Sequence, residues 1–246
     1  MKTVSLGVVE AGFTRAAGTY AGHAGVQTAA AEWLAEWLPA ARTGRALEVG
    51  AGPGIFTRHL LPWSGRLLVT DASRAMCEKG RAAWSQVEWK PMLAQAPEAG
   101  PWDWIFTSSM LQWVDDPVAV FSAWRDTLAP GGRITGVLFV EDSLPELRAL
   151  MDGWSPVTWR MPEQWRFNLE RGGLQVLRME TQRREFWYAS ARDFLRSLHG
   201  VGATPVRRLS AGALRRLMSD YEGRHGSKDG VVATWAFCRF EAQRAD

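Results

Sequence analysis

Short apolar runs alternate with helix-forming stretches through the first half of the chain. Ala46–Val49, Leu67–Thr70, Val87–Trp89, Trp102–Thr107 and Arg133–Val140 have strand length, and helical patterns fall between several of them near Ile55–Leu61, Arg74–Trp84 and Val118–Leu128. Runs this apolar suit strands covered on both faces, so the pattern predicts a doubly wound, mostly parallel α/β sheet. Upstream, Phe13–Leu38 sets Gln27, Ala30, Leu34 and Trp37 on one stripe, which predicts one or two helices ending near Pro39.

The alternation breaks after Val140. Residues 144–224 mix proline-rich and arginine-rich stretches, with helical candidates at Ala189–Leu198 and Ala211–Tyr221 and a strand candidate at Leu174–Glu180. The apolar run Val231–Phe240 predicts a closing strand. We therefore expect a single domain over 1–246, with a helical N-terminal segment over 1–40 and a cap inserted within about 141–224.

Charge sharpens this division. Residues 1–150 carry 13 basic and 15 acidic side chains, whereas residues 151–246 carry 16 and 11, and the basic excess is nearly all arginine. Such a surface attracts nucleic acid, anionic lipid or an acidic protein, or is simply a set of solvated helix faces. Cys77 and Cys238 stand far apart without metal or redox spacing. The first residues lack the uninterrupted apolar core of a secretory signal, and no stretch reaches the length of a membrane span. A cytoplasmic protein without a metal centre or membrane contact is expected.

Candidate chemistry centres on Leu47-Glu48-Val49-Gly50-Ala51-Gly52-Pro53-Gly54. An apolar run entering a glycine turn is how a buried strand ends beneath a ligand. A dinucleotide fingerprint would put its third glycine at position 55, where this chain has Ile55. The departure points away from a pyrophosphate. Asp71 closes the next strand, 21 residues after Gly50, where a carboxylate can accept from both hydroxyls of a ribose or can cap the following helix.

The glycine turn, Asp71 and Leu128–Arg133 ("LAPGGR") together resemble S-adenosylmethionine-dependent methyltransferases of the Rossmann-like, seven-stranded class. Phe13–Gln27 ("FTRAAGTYAGHAGVQ"), Ser108–Pro117 ("SSMLQWVDDP"), Asp142–Leu147 ("DSLPEL") and Arg196–Thr204 ("RSLHGVGAT") further resemble the malonyl-acyl-carrier-protein O-methyltransferases. The first two motifs are shared with trans-aconitate methyltransferases. The resemblance implies methyl transfer from S-adenosyl-L-methionine to the free carboxylate of a malonyl thioester on acyl carrier protein, the opening step of biotin synthesis. Alternatives are a small-molecule carboxyl methyltransferase of the trans-aconitate type and a non-catalytic cofactor-binding regulator. Nucleic-acid modification is disfavoured, because "TSSMLQW" after the fourth strand lacks an Asn-Pro-Pro-Tyr-type motif.

By the same resemblance, cofactor contacts fall on Tyr20, Gln27, Glu48, Gly50, Ala51, Gly52, Gly54, Asp71, Ala72, Met76, Met92, Leu93, Ser108 and Gln112. Tyr20, Gln112, Trp113 and His199 are expected to position substrate. A carboxylate is already ionised at neutral pH, so no general base is needed; alignment and exclusion of water carry the reaction. Tyr20, His23 and Gln27 share one face if their helix is continuous. The chain has His199 where many members have lysine, and Met92 and Leu93 where an acidic residue usually meets the adenine. Each polar candidate also has a plainer reading: Tyr20 as a core tyrosine, His23 as a surface residue, His199 as a helix-end residue beside the dipole. The 14 tryptophans read as core and cap filling. Arg183, Arg184, Arg192, Arg196, Arg207, Arg208, Arg215 and Arg216 are candidates for docking the acidic carrier. Gly52→Val is expected to abolish cofactor binding by crowding the turn.

Overall fold

The computed structural model describes residues 12, 14–15, 18, 20–151, 157–202 and 209–244. Arg207, Arg208 and parts of the Phe13–Gln27 and Arg196–Thr204 motifs lie outside that set. Five parallel strands form the body of one sheet: β1 (Arg45–Val49), β2 (Arg66–Asp71), β3 (Glu88–Pro91), β4 (Trp102–Ser108) and β5 (Leu128–Phe139), side by side in the order β3-β2-β1-β4-β5. The chain then adds an edge strand, β6 (Leu174–Tyr188), a two-residue β7 (Gly226–Ser227) and β8 (Gly230–Arg244). β8 is antiparallel to both β5 and β6 and lies between them, while β7 hairpins onto its start. The main path thus has the seven strands expected of this class. β7 is too short to leave an apolar pattern in the sequence.

Around the sheet lie α1 (Tyr20–His23), α2 (Gly25–Ala35), α3 (Thr57–Leu60), α4 (Arg74–Ala83), α5 (Pro117–Thr127), α6 (Pro145–Leu150), α7 (Pro162–Arg171), α8 (Ala191–Gly200) and α9 (Ala211–His225). Local chemistry sets their starts. Ser73, Asp116, Ser190 and Ser210 each accept an amide of the first helical turn, at α4, α5, α8 and α9. Proline opens α5, α6 and α7, where its missing N–H costs no hydrogen bond.

Among the described residues, two large apolar clusters form most of the core. One joins Leu34 of α2 to Phe56, Phe106 and Phe237; the other joins Leu47, Trp102, Phe121, Trp124 and Trp165. Trp102, Trp124 and Trp165 are wholly buried, in keeping with a core-filling role.

Several expectations change in extent: β5 starts at Leu128 and not Arg133 and ends at Phe139, and β8 spans Gly230–Arg244 and not Val231–Phe240. β6 is fifteen residues long and not the seven of Leu174–Glu180, because an edge strand leaves Thr181–Glu185 with polar side chains and hides its own pattern. α3 covers only Thr57–Leu60 within the expected Ile55–Leu61. Within 141–224, β6 belongs to the sheet and α7 packs on β6 and α5, whereas α9 packs on α6 and α8 and α8 reaches α1.

Candidate active site

A cavity of about 270 Å³ opens at the carboxyl ends of β1, β2, β3 and β4, where ligands of open parallel sheets bind. Its floor is the glycine turn after β1. Gly50, Gly52 and Gly54 all have positive φ, at 73°, 57° and 97°. A side chain at Gly50 would come within 2.4 Å of Met110, and one at Gly54 within 2.6 Å of Trp84. At Gly52 a Cβ would meet nothing within 4 Å, and this glycine lines the cavity. The expectation that a larger residue there crowds the turn is therefore corrected: it would fill the space above it.

Asp71 ties the turn to β2. Its Oδ2 accepts the Gly52 amide at 2.8 Å and its Oδ1 accepts the Ser73 amide at 2.8 Å. Ser73, and not Asp71, caps α4. Asp71 itself lies at the cavity edge.

Glu48 lies beneath the turn, fully buried and off the cavity lining. Thr57 Oγ1 donates to its Oε2 at 2.7 Å, and its Oε1 has no hydrogen-bond partner. Burial raises its pKa, the Thr57 bond lowers it and nearby Asp71 raises it, leaving it pushed up to about 8. Glu48 is a neutral group below that pH.

Tyr20 and Gln27 line the cavity, but they come from two helices, because the chain breaks at Ala24 between α1 and α2. The assumption of one continuous helix fails at His23. Its ring occupies the space where Gly200 of α8 would carry a Cβ, 2.2 Å away. Tyr20 packs with Ala24, Met76 and Val201. Burial, and next the charge of Asp71, hold its phenol well above the usual tyrosine range, so it stays neutral.

Past β4, the backbone takes the left-handed conformation at Ser109 (φ 58°). The Ser109 amide donates to Val137 O at 2.8 Å, and its carbonyl accepts Gln112 Nε2 at 2.6 Å. Ser108, Ser109, Met110, Trp113, Val114, Asp115 and Asp116 form this wall. Gln112 is buried behind it, a support for the loop and not a lining residue. Arg160 clamps the loop from outside: its two terminal nitrogens donate to Val114 O at 3.2 Å and Asp115 O at 3.0 Å, and its guanidinium sits 5.2 Å over the Trp165 ring.

On the β3 side, Met92, Ala94 and Gln95 line the cavity beside Ala72 and Met76, whereas Leu93 is 41% exposed and points elsewhere. Ala51 and Ser108 line it as expected; Gly54 supports the turn without lining it. His199 is exposed on the last turn of α8, off the lining. Sequence reasoning missed Ser73, Gln95, Ser109, Asp115 and Asp116. Ser73, Gln95 and Ser109 were signalled by position, as polar residues within four places of a strand's carboxyl end, whereas Asp115 and Asp116 follow β4 by seven and eight. Among the described lining residues are three carboxylates and no lysine, arginine or histidine, so the cavity favours a cation. Among the described residues no cluster could hold a metal ion, and no helix is long and apolar enough to cross a membrane.

Comparison with known proteins agrees with this geometry. The family model described as a methyltransferase domain matches residues 47–134, from the glycine turn to β5. A malonyl-[acyl-carrier protein] O-methyltransferase of Enterobacter lignolyticus is 31% identical over 212 residues, 83% of this chain and 82% of its own length. The crystal structure of YcgJ protein from Bacillus subtilis shares the fold with a TM-score of 0.65 at 15% identity, over 89% of this chain and 99% of that one. Geranyl diphosphate C-methyltransferase of Streptomyces coelicolor, solved with S-adenosyl-L-homocysteine, shares it with a TM-score of 0.57 at 14% identity, over 88% and 79%. A glycine turn tied to an acidic strand end, in an acidic cavity, on a sheet of this order, with a relative this similar over most of its length, assigns the chain to the malonyl-[acyl-carrier protein] O-methyltransferase family of S-adenosylmethionine-dependent enzymes.

Proposed function

We propose that the chain transfers a methyl group from S-adenosyl-L-methionine to the free carboxylate of malonyl-acyl carrier protein, giving the malonyl methyl ester that opens biotin synthesis. The observation that carries this reading is the cavity itself. Its three carboxylates and lack of a cation suit a ligand with a sulfonium and an ammonium group, and the open space over Gly52 admits a ligand against the backbone. When bound, that cofactor supplies an electrophilic methyl group, leaving S-adenosyl-L-homocysteine.

The chain's own residues divide the remaining work. Asp71 would accept from a ribose diol, while Met92, Ala94 and Ala72 offer apolar surface to a base. Tyr20, Gln27 and Ser108 would hold the methionine end. The neutral Tyr20 phenol keeps its proton and offers it as a hydrogen-bond donor to the acceptor carboxylate. Trp113 walls the site against water, which strengthens every contact inside. No residue need take a proton, because the acceptor is already an anion. We assign α6, α8 and α9 to a cap over this site, with His199 at its rim and the arginines of that region receiving the acidic carrier.

Incubating the protein with S-adenosylmethionine and malonyl-acyl carrier protein should add the mass of one methyl group to the malonyl carrier. An unchanged mass beside a methylated free dicarboxylic acid would overturn the carrier-dependent reading.

A further inference from the structure

We infer that the exposed face of α8 carrying Arg192, Arg196 and His199 is the ridge on which the acidic carrier docks. The C-terminal end of that helix then delivers the tethered acyl group to the cavity. The inference rests on the proposed reading and names the surface it requires.

The cavity poses an electrostatic difficulty. Its lining includes Asp71, Asp115 and Asp116, so the site that favours a cationic cofactor repels both an acidic protein and a malonyl carboxylate. Attraction must come from beside the mouth. Several cations are committed elsewhere, and of the docking candidates Arg184 donates to Gln182 and to Ala29 O. Arg133 and Arg178 pair with Glu241, Arg239 pairs with Glu36 and Glu180, and Arg160 clamps the wall after β4.

α8 is different. Arg192, Arg196 and His199 stand at i, i+4 and i+7 and are all exposed, a stripe about 10 Å long at the usual helical rise. The opposite face fixes the helix's rotation. Ala191, Phe194, Ser197 and Leu198 are buried, and the Phe194 ring packs 5.3 Å from Tyr188 and 5.1 Å from Tyr221. Within the stripe, Arg196 meets Asp193 at 3.2 Å with both side chains largely exposed, a weak pair that a denser acidic surface displaces.

Position supplies the second half of the argument. Where the stripe ends, Gly200 receives the His23 ring and Val201 packs with Tyr20, Ala24 and Met76. Tyr20 and Met76 both line the cavity. The C-terminal end of α8 therefore lies one residue layer from the cavity lining, and a partner seated along the helix is placed beside it, within reach of a flexible arm. Arg215 and Arg216 on α9 are also exposed, but α9 packs on α6 and α8, whereas α8 itself packs against α1, which carries Tyr20. They offer an internal control of equal charge.

The test compares Arg192→Glu/Arg196→Glu with Arg215→Glu/Arg216→Glu, using malonyl-acyl carrier protein and malonyl-coenzyme A as substrates. The α8 pair should lower kcat/KM on the carrier substrate at least about tenfold, chiefly through KM, and steepen no loss on malonyl-coenzyme A. Affinity for S-adenosylhomocysteine should be unchanged, which also reports that the variant is folded. Should the glutamates prevent folding, Arg192→Gln/Arg196→Gln is the replacement pair, with a smaller loss expected. Equal losses in the α8 and α9 variants, or no loss in either, overturn the assignment to α8. A wild-type protein that methylates no malonyl thioester overturns the functional reading, and the docking ridge with it.

Discussion

Glu48 is a carboxyl group kept where water cannot reach it, with one oxygen held by Thr57 and the other unpartnered. The consequence is a pH dependence of known sign. In the unfolded chain this group loses its proton near 4.5, whereas in the fold it keeps the proton up to about 8. Between those values the native state binds more protons than the unfolded state, so stability falls as pH rises through that window and levels off above it. Glu48→Gln, which keeps shape and burial without the ionisation, should flatten the fall; chemical denaturation across the window reads it, and an unchanged slope would assign the dependence to other groups. The neighbouring Gly52 makes a different prediction. Its φ of 57° strains any β-branched residue by about 1–2 kcal/mol, and the new methyls project into the cavity. Gly52→Val should lower stability only by that amount yet weaken S-adenosylhomocysteine binding at least about tenfold, measured by calorimetry.

At the scale of elements, the wall after β4 is a loop held from behind. Gln112 holds the Ser109 carbonyl, and Arg160 holds those of Val114 and Asp115. Burial lowers the pKa of the Arg160 guanidinium, while Asp115 and Asp116 raise it. Arg160→Met should therefore release Trp113 and Val114, raising the dissociation constant of S-adenosylhomocysteine by about five- to tenfold, at ~1–1.5 kcal/mol for the two hydrogen bonds lost. Arg160→Lys should recover only part of the affinity, because a point charge cannot span two carbonyls. Equal affinity in all three proteins would mean that the loop holds itself. This arrangement also explains what the sequence left hidden. The strands β1 to β5 and the glycine turn were legible, since each depends on local apolar runs and on backbone conformations that only glycine adopts cheaply. Whether a polar residue after a strand faces the ligand or the protein depends on the loop's turn. Gln112 and Leu93 were thus read as lining residues, and Gln95 and Ser109 were passed over.

At the scale of the molecule, the ends of the chain are joined by stacked cations and rings that no local pattern announces. Arg239 of β8, only 6% exposed, places its guanidinium 4.3 Å from the Trp33 ring centre and 4.2 Å from that of Trp37. Arg178 of β6 covers Trp37 at 4.0 Å, so the indole lies against two guanidinium groups. Arg239 also donates to Trp33 O and Glu36 and, through two nitrogens, to Glu180. These contacts fasten α2, which carries Gln27 to the cavity, onto strands more than 140 residues away in sequence. Reading the sequence yielded an arginine-rich second half but no means of telling anchors from docking residues; burial separates Arg239 from Arg192. Arg239→Met should cost about 2–4 kcal/mol, from cation–ring contacts worth up to ~2 when dry and hydrogen bonds to charged groups worth ~1.5–3. The loss stays in that range because Glu36 and Glu180 are more than half exposed and remain hydrated when unpaired. Denaturant unfolding measures it, and a cost below about 1 kcal/mol would show that α2 is held by its apolar face alone.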